Sequence, residues 1–86
     1  MKKYEELAIK KENLKEGQKY YRVLLLTEDQ MDVLIMVGRY STLKDAKIAI
    51  ANFDEEEMDE HGSYLIIEYN IQDGKRSRTK RDPIYY

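Results

Sequence analysis

The chain has no cysteine, no tryptophan, one proline and one histidine. Without cysteine it cannot form disulfides or thiolate metal sites, a composition that suits a reducing compartment. It also has no apolar run of about 18 residues, the length that a membrane-spanning helix needs. The lysine-rich start leads into Glu5 and Glu6 and not into an apolar signal core. We therefore expect a soluble, uncleaved, cytoplasmic protein that does not associate with membranes.

The length sets the domain organisation. Its 86 residues suffice for one small domain and are too few for two hydrophobic cores. Charged residues make up 37% of the chain and hydrophobic residues 42%, so the core must be thin. We expect a single domain over residues 1–86, with residues 75–86 forming either an edge strand or a mobile tail.

The first half of the chain predicts a helix followed by a β-hairpin. Residues 3–16 carry a short apolar stripe at the helical period and lead to Gly17, a residue type that ends helices. Residues 20–27 and 32–40 are rich in aliphatic and aromatic residues, which favour strands. Both strands are apolar at several successive positions, so each sheet face should be covered or bind a partner.

The second half begins with a predicted helix over residues 43–57. Thr42 is placed to accept a hydrogen bond from the first turn, and Asp45 lies near the positive end of the helix dipole. Apolar residues within the helix recur at a spacing that covers one face of a sheet. Ile48 falls outside that stripe.

The remaining residues predict one or two further strands. Residues 63–71 alternate in the manner of a strand, and Asp73-Gly74 is a strong tight-turn pair. A fourth strand over residues 76–81 would be an edge strand protected by its charges. The sequence therefore predicts an α+β fold: an antiparallel sheet of three or four strands, an N-terminal helix and a second helix packed on one sheet face.

Charge is distributed unevenly behind a formal net charge of −2. Residues 54–73 contain eight acidic residues and no lysine or arginine, whereas residues 74–86 contain five basic residues and one acid. Acidic residues close together near a helix C-terminus repel one another and oppose the helix dipole. Three explanations stay open: the two blocks pair internally, the acids form a solvated face, or the acids bind a basic partner.

Motifs for catalysis and for metal binding are absent from the sequence. His61 lies beside Asp59 and Glu60, but this segment lacks the ligand spacing and the central glycine of a calcium loop. There is no Gly-x-Ser-x-Gly motif, and the four glycines are isolated, so no phosphate-binding loop is present. We expect a protein that is not an enzyme and that needs neither cofactor nor metal.

The leading hypothesis is a protein-binding module that docks an acidic surface on a basic partner. In size, acidity and lack of catalytic motifs the chain resembles the small inhibitors that phages and mobile elements make against host nucleases and defence proteins. The resemblance rests on no shared motif, and it implies a partner with a basic surface. The residues predicted to contact this partner are Asp54, Glu55, Glu56, Glu57, Asp59, Glu60, Tyr64, Tyr85 and Tyr86.

Two alternatives remain. The first is a nucleic-acid-associated accessory protein, in which basic residues with tyrosines nearby contact the ligand. The second is a structural homodimer formed through the sheet. The residues predicted to contact nucleic acid in the first alternative are Arg76, Arg78, Lys80 and Arg81.

Overall fold

The computed structural model describes residues 2–26, 34–57 and 62–86 of the chain. These residues form two α-helices, a 3-10 turn and five β-strands. In chain order they are α1 (Lys3–Glu6), the 3-10 turn (Lys11–Asn13), β1 (Lys19–Leu26), β2 (Leu34–Tyr40), α2 (Leu43–Glu57), β3 (Ser63–Gln72), β4 (Lys75–Arg78) and β5 (Ile84–Tyr85).

The strands form one antiparallel sheet in the order β2-β1-β3-β4. Strand β5 pairs with β3 at Leu65 and Ile66, on the edge of β3 that β4 occupies farther along. The predicted α+β fold is confirmed, with the third strand present and the fourth shorter than residues 76–81. The connection between β1 and β2 lies outside the described residues.

Helix α2 has the predicted bounds and packs on one face of the sheet. At its start the Asp45 amide donates to Thr42 Oγ1 over 3.0 Å, which is the predicted cap. Ile48, outside the apolar stripe, is exposed. Each large apolar side chain buried under the helix contributes about 1.5–3 kcal/mol. The core shared by the helix and the sheet consists of Val23, Leu25, Tyr40, Ala46, Ala49, Ile50, Tyr64 and Ile66.

The N-terminal helix is present but much shorter than the predicted residues 3–16, because the chain finds backbone partners on the sheet. Helix α1 ends at Glu6, and the Ile9 amide then donates to the Arg39 carbonyl of β2 over 2.7 Å. Farther on, the Gly17 amide donates to the Ile71 carbonyl of β3 over 2.8 Å. Residues 9–17, named here the crossing segment, therefore pass across one end of the sheet from β2 to β3.

A missing side chain at Gly38 lets α1 dock on the core. A Cβ at this position would lie 2.7 Å from the Tyr40 hydroxyl oxygen. The Tyr40 hydroxyl passes through this space and donates to the Tyr4 carbonyl of α1 over 2.8 Å. Tyr40 itself is fully buried, and that burial raises the pKa of its phenol to about 12.

Candidate functional site

The acids predicted to meet a partner divide into two groups. Asp54 and Glu57 make contacts within the chain, whereas Glu55 and Glu56 are exposed on the last turn of α2. Asp59 and Glu60, like His61, lie outside the described residues.

Asp54 and Glu57 tie the end of α2 to neighbouring segments. Asp54 Oδ1 accepts from the Gly62 amide over 3.0 Å and from the Tyr64 hydroxyl over 2.9 Å. Glu57 Oε1 accepts from the Tyr4 hydroxyl over 2.8 Å and pairs with the Lys2 ammonium. These hydrogen bonds hold the pKa of Glu57 below its usual range, with Lys2 the larger cause. Both carboxylates are therefore bonded to groups of the chain itself, which limits their availability to a partner.

The three predicted tyrosines have different environments. Tyr64 is only 2% exposed, because it packs in the core beneath α2, and this corrects the expectation that it contacts a partner. Tyr85 and Tyr86 are 75% and 54% exposed. Tyr86 exchanges two backbone hydrogen bonds with Tyr64, and its ring centre lies 5.9 Å from the Lys47 ammonium of α2. Tyr85 pairs with Leu65 and therefore lies on the opposite face of the sheet.

The basic segment, residues 75–81, contacts a carboxylate on β3 and not one at the acidic end of α2. Arg81 lies 3.6 Å from Glu68 Oε2 on β3, and Glu68 is only 8% exposed. Its carboxylate also accepts from the Thr79 hydroxyl over 2.7 Å and from the Tyr21 hydroxyl over 2.8 Å. These two hydrogen bonds lower the pKa of Glu68. One basic residue of the segment is thus partly neutralised, while Lys80 is exposed.

Arg76 and Arg78 of β4 belong to a second sheet face, opposite the helices. Successive strand residues point to opposite faces, and because Val23 and Leu25 pack in the helix-covered core, Arg22 lies on the other side. The pairing register extends this face across β1, β2, β3 and β4. It is named here the basic face and consists of Tyr20, Arg22, Leu24, Met36, Arg39, Leu65, Ile67, Tyr69, Ile71, Arg76 and Arg78.

Tyr69 is at the centre of the basic face. The guanidinium carbons of Arg22 and Arg76 lie 5.5 and 5.1 Å from its ring centre, a cation–π distance. Tyr20 stacks on the same ring with centroids 5.8 Å apart. Burial raises the pKa of Tyr20, and the positive charges of Arg76, Arg22 and Arg39 oppose that rise. The rings therefore bring arginines of three strands into one electrostatic cluster.

Within the described part of the chain, the arginines of the basic face form no ion pair with an acid. Among the described residues, ion pairs within 4.0 Å involve Lys2 and Arg81, and none of the arginines Arg22, Arg39, Arg76 or Arg78. Arg22 donates to the Met36 sulfur over 3.3 Å, and its buried Nε has no hydrogen-bond partner. Four guanidinium groups on one sheet face create a positive potential that favours anionic ligands.

An open groove of about 540 Å³ lies at the end of the basic face, under the crossing segment. Its wall on the crossing segment includes Lys11 and Leu14, and its opposite wall comes from the turn between β3 and β4. Four of the five charged residues in this lining are basic. The full lining is Lys11, Leu14, Glu16, Tyr20, Arg39, Ile71, Gly74, Lys75 and Arg76.

Sequence reasoning identified Arg76 and Arg78 but missed Arg22, Arg39 and Tyr69. The missing information was the strand register, which places Arg39 opposite Arg22 and Arg78 opposite Tyr69. One arginine within each of the apolar strands β1 and β2 was the only signal in the sequence, and it did not reveal that the arginines share a face.

No family model, curated protein or solved structure matches the chain. Within the described ranges, no helix is long and apolar enough to cross a membrane, and no group of three or more acidic or histidine side chains is placed to hold a metal ion. A functional assignment must therefore come from the chemistry of the surface itself.

Proposed function

We propose that the protein is a non-catalytic nucleic-acid-binding protein whose basic face contacts the phosphate backbone. The observation that carries this proposal is the group of four arginines on the sheet face opposite the helices, none paired with a described carboxylate. The predicted contact set was Arg76, Arg78, Lys80 and Arg81, of which the first two lie on this face, and we add Arg22 and Arg39 to them. Lys80 and Arg81 lie next to this set in the chain.

Arginine suits this task because its planar guanidinium donates two parallel hydrogen bonds to a phosphate and stays charged at all physiological pH values. Stacking on Tyr69 holds Arg22 and Arg76 in place before the ligand arrives, so less side-chain entropy is lost on binding. The acidic end of α2 belongs to the helix side of the sheet, so a net charge of −2 is compatible with a positive face. The resulting charge asymmetry orients the protein toward a polyanion.

A charge-reversal experiment tests the proposal. The variant Arg76→Glu with Arg78→Glu changes the net charge by the same amount as the control Lys3→Glu with Lys44→Glu, whose exposed lysines belong to the two helices. Anisotropy with a labelled oligonucleotide should show binding weakened at least about tenfold in the first variant and a shallower salt dependence, because phosphate contacts are lost. Equal weakening in both variants would show a net-charge effect and would contradict a specific face.

A second candidate is the predicted protein-binding role of the acidic end. The observation in its favour is that Glu55, Glu56 and Tyr86 are exposed in neighbouring parts of the fold, which Asp54 and Tyr64 link. Tyr85 is exposed on the opposite face of the sheet. The surface around Glu55, Glu56 and Tyr86 would suit a basic partner such as a nuclease or defence protein, as expected of a small phage-type or mobile-element-type inhibitor.

Capture of a basic protein from a lysate after nuclease treatment, abolished by Glu55→Lys with Glu56→Lys, would support the second candidate over the first. Light scattering on the isolated protein tests the homodimer alternative. A mass equal to one chain excludes it.

A further inference from the structure

The groove at the end of the basic face combines positive charge with apolar surface. Lys11, Arg39, Lys75 and Arg76 supply cations from three separate parts of the chain, while Leu14 and Ile71 supply apolar side chains. Its volume of about 540 Å³ falls within the range of small-ligand sites and exceeds what a lone phosphate fills. This composition suits a ligand with an anionic group joined to a flat apolar group.

We propose that this groove binds one unpaired nucleotide of a single strand, an inference that rests on the proposed nucleic-acid function. The phosphate of that nucleotide lies among the cations Arg39, Lys75 and Arg76. Its base contacts Leu14 and Ile71. The rest of the strand continues over the basic face, where Arg22 and Arg78 meet the following phosphates.

Glu16 is the one acid of the groove lining, and its carboxylate accepts hydrogen bonds from the β3–β4 turn. Its two oxygens accept from the Asp73 amide over 2.6 Å and the Gly74 amide over 3.0 Å. These bonds fix the turn that precedes Lys75 and Arg76. Glu16 is therefore a positioning residue for two groove cations, and its charge is partly balanced by the two N–H dipoles.

A single strand is favoured over a duplex because the groove accepts the face of a base. In a duplex each base is stacked and paired, and exposing its face costs a few kcal/mol that a flexible single strand does not pay. The Tyr69 ring already contacts Tyr20, Arg22 and Arg76, so a base finds its apolar surface in the groove instead.

Competition binding separates these contributions. The probe is a labelled oligothymidine of about 12 nucleotides, within the length that small single-strand-binding folds cover. The competitors are unlabelled oligothymidine, a duplex, and inorganic polyphosphate, which has charge but no base. We expect the single strand to compete about tenfold better than either of the others. A duplex that competes as well as the single strand would overturn the inference.

Two variants divide the groove into its charged and apolar parts. Arg39→Gln with Lys75→Gln should weaken binding of both oligothymidine and polyphosphate by about tenfold, compared with Lys3→Gln with Lys44→Gln as the matched control. Leu14→Ser should weaken oligothymidine alone, by about fivefold, with Ile48→Ser on α2 as its control. Unchanged oligothymidine binding in Leu14→Ser contradicts a base in the groove.

A measurement on the unmodified protein guards against variants that do not fold. Titration with thymidine monophosphate, followed by amide NMR, should shift signals of Leu14, Gly74 and Lys75, whereas inorganic phosphate should leave Leu14 in place. Shifts confined to residues outside the groove overturn the inference. One outcome separates the two proposals: single strand and duplex bind equally well, and the double variant Arg76→Glu with Arg78→Glu binds both more weakly. In that case the groove assignment fails while the proposed function stands. If no nucleic acid binds, both fail.

Discussion

The guanidinium of Arg76 on β4 lies 5.1 Å from the ring centre of Tyr69 on β3. The two residues are seven positions apart in the chain and meet because the tight turn at Asp73 and Gly74 folds β4 back along β3. Both turn residues have positive φ, 54° and 73°, which this residue pair tolerates. One local turn thus brings a basic segment onto an aromatic residue of the sheet.

The Tyr69 ring should support nucleic-acid binding through the arginines that it holds. Replacing Tyr69 by Leu removes the π face, whose contact with each partly exposed cation contributes about 0.5–1 kcal/mol. We expect affinity for an oligonucleotide to fall about threefold, measured by anisotropy at one fixed salt concentration. Tyr69→Phe keeps the ring and serves as the control. Equal losses in the two variants would assign the effect to the hydroxyl group.

Gly38 should be intolerant of alanine. The new Cβ would lie 2.7 Å from the Tyr40 hydroxyl, which has to move and loses its bond to the Tyr4 carbonyl. Overpacking of this kind costs about 1–3 kcal/mol of unfolding free energy, measured by urea denaturation. Because Tyr40→Phe removes the clashing oxygen, the double variant should lose less than the sum of the two single changes. Additive losses would contradict the proposed clash.

Acid should destabilise the protein through Glu68. Hydrogen bonds from Thr79 and Tyr21 lower its pKa from the ordinary value of 4.5 in the folded state. The ionised form of Glu68 is therefore more favourable in the folded state than in the unfolded state. The resulting stabilisation is complete above pH 4.5 and is lost as the pH falls through the folded-state pKa. Urea denaturation at several pH values should show this decline, and Glu68→Gln should reduce it. An unchanged pH profile in that variant would exclude Glu68 as the source.

Alkali should act through Tyr40 in the opposite direction. Its pKa is raised by burial from 10.0 to about 12, so the unfolded chain releases the phenol proton at a lower pH than the folded one. The stability present below pH 10 therefore declines as the pH rises toward 12. Ultraviolet titration of tyrosine ionisation should show a component near pH 12 that is absent from Tyr40→Phe. A titration curve identical in both proteins would contradict this assignment.

The exposed glutamates of α2 should cost stability. Glu55 and Glu56 lie in the last turn, where negative charge opposes the helix dipole. Glu55→Lys with Glu56→Lys should raise the free energy of unfolding by about 0.5–1 kcal/mol, measured by thermal denaturation. Glu55→Gln with Glu56→Gln, which removes the charges without reversing them, should give a smaller gain. A net loss would show that these side chains make stabilising contacts.

Local rules determined much of this fold directly from sequence. The helix over residues 43–57, its Thr42 cap and the turn at Asp73 and Gly74 depend on neighbours within a few positions, and all three are confirmed. The predicted N-terminal helix is too long, because the helical spacing of apolar residues continues past Glu6. The backbone of the following residues instead bonds to Arg39 and Ile71, which are remote in the chain.

Only the tertiary structure decided which charges are available to a ligand. Composition alone shows an acidic block and a basic block, but Asp54 and Glu57 turn out to bond within the chain, and Tyr64 turns out to be buried. The basic face joins Arg22, Arg39, Arg76 and Arg78 from three strands. Such a face depends on register across a sheet, and a shift of one residue would send each of these side chains to the opposite side.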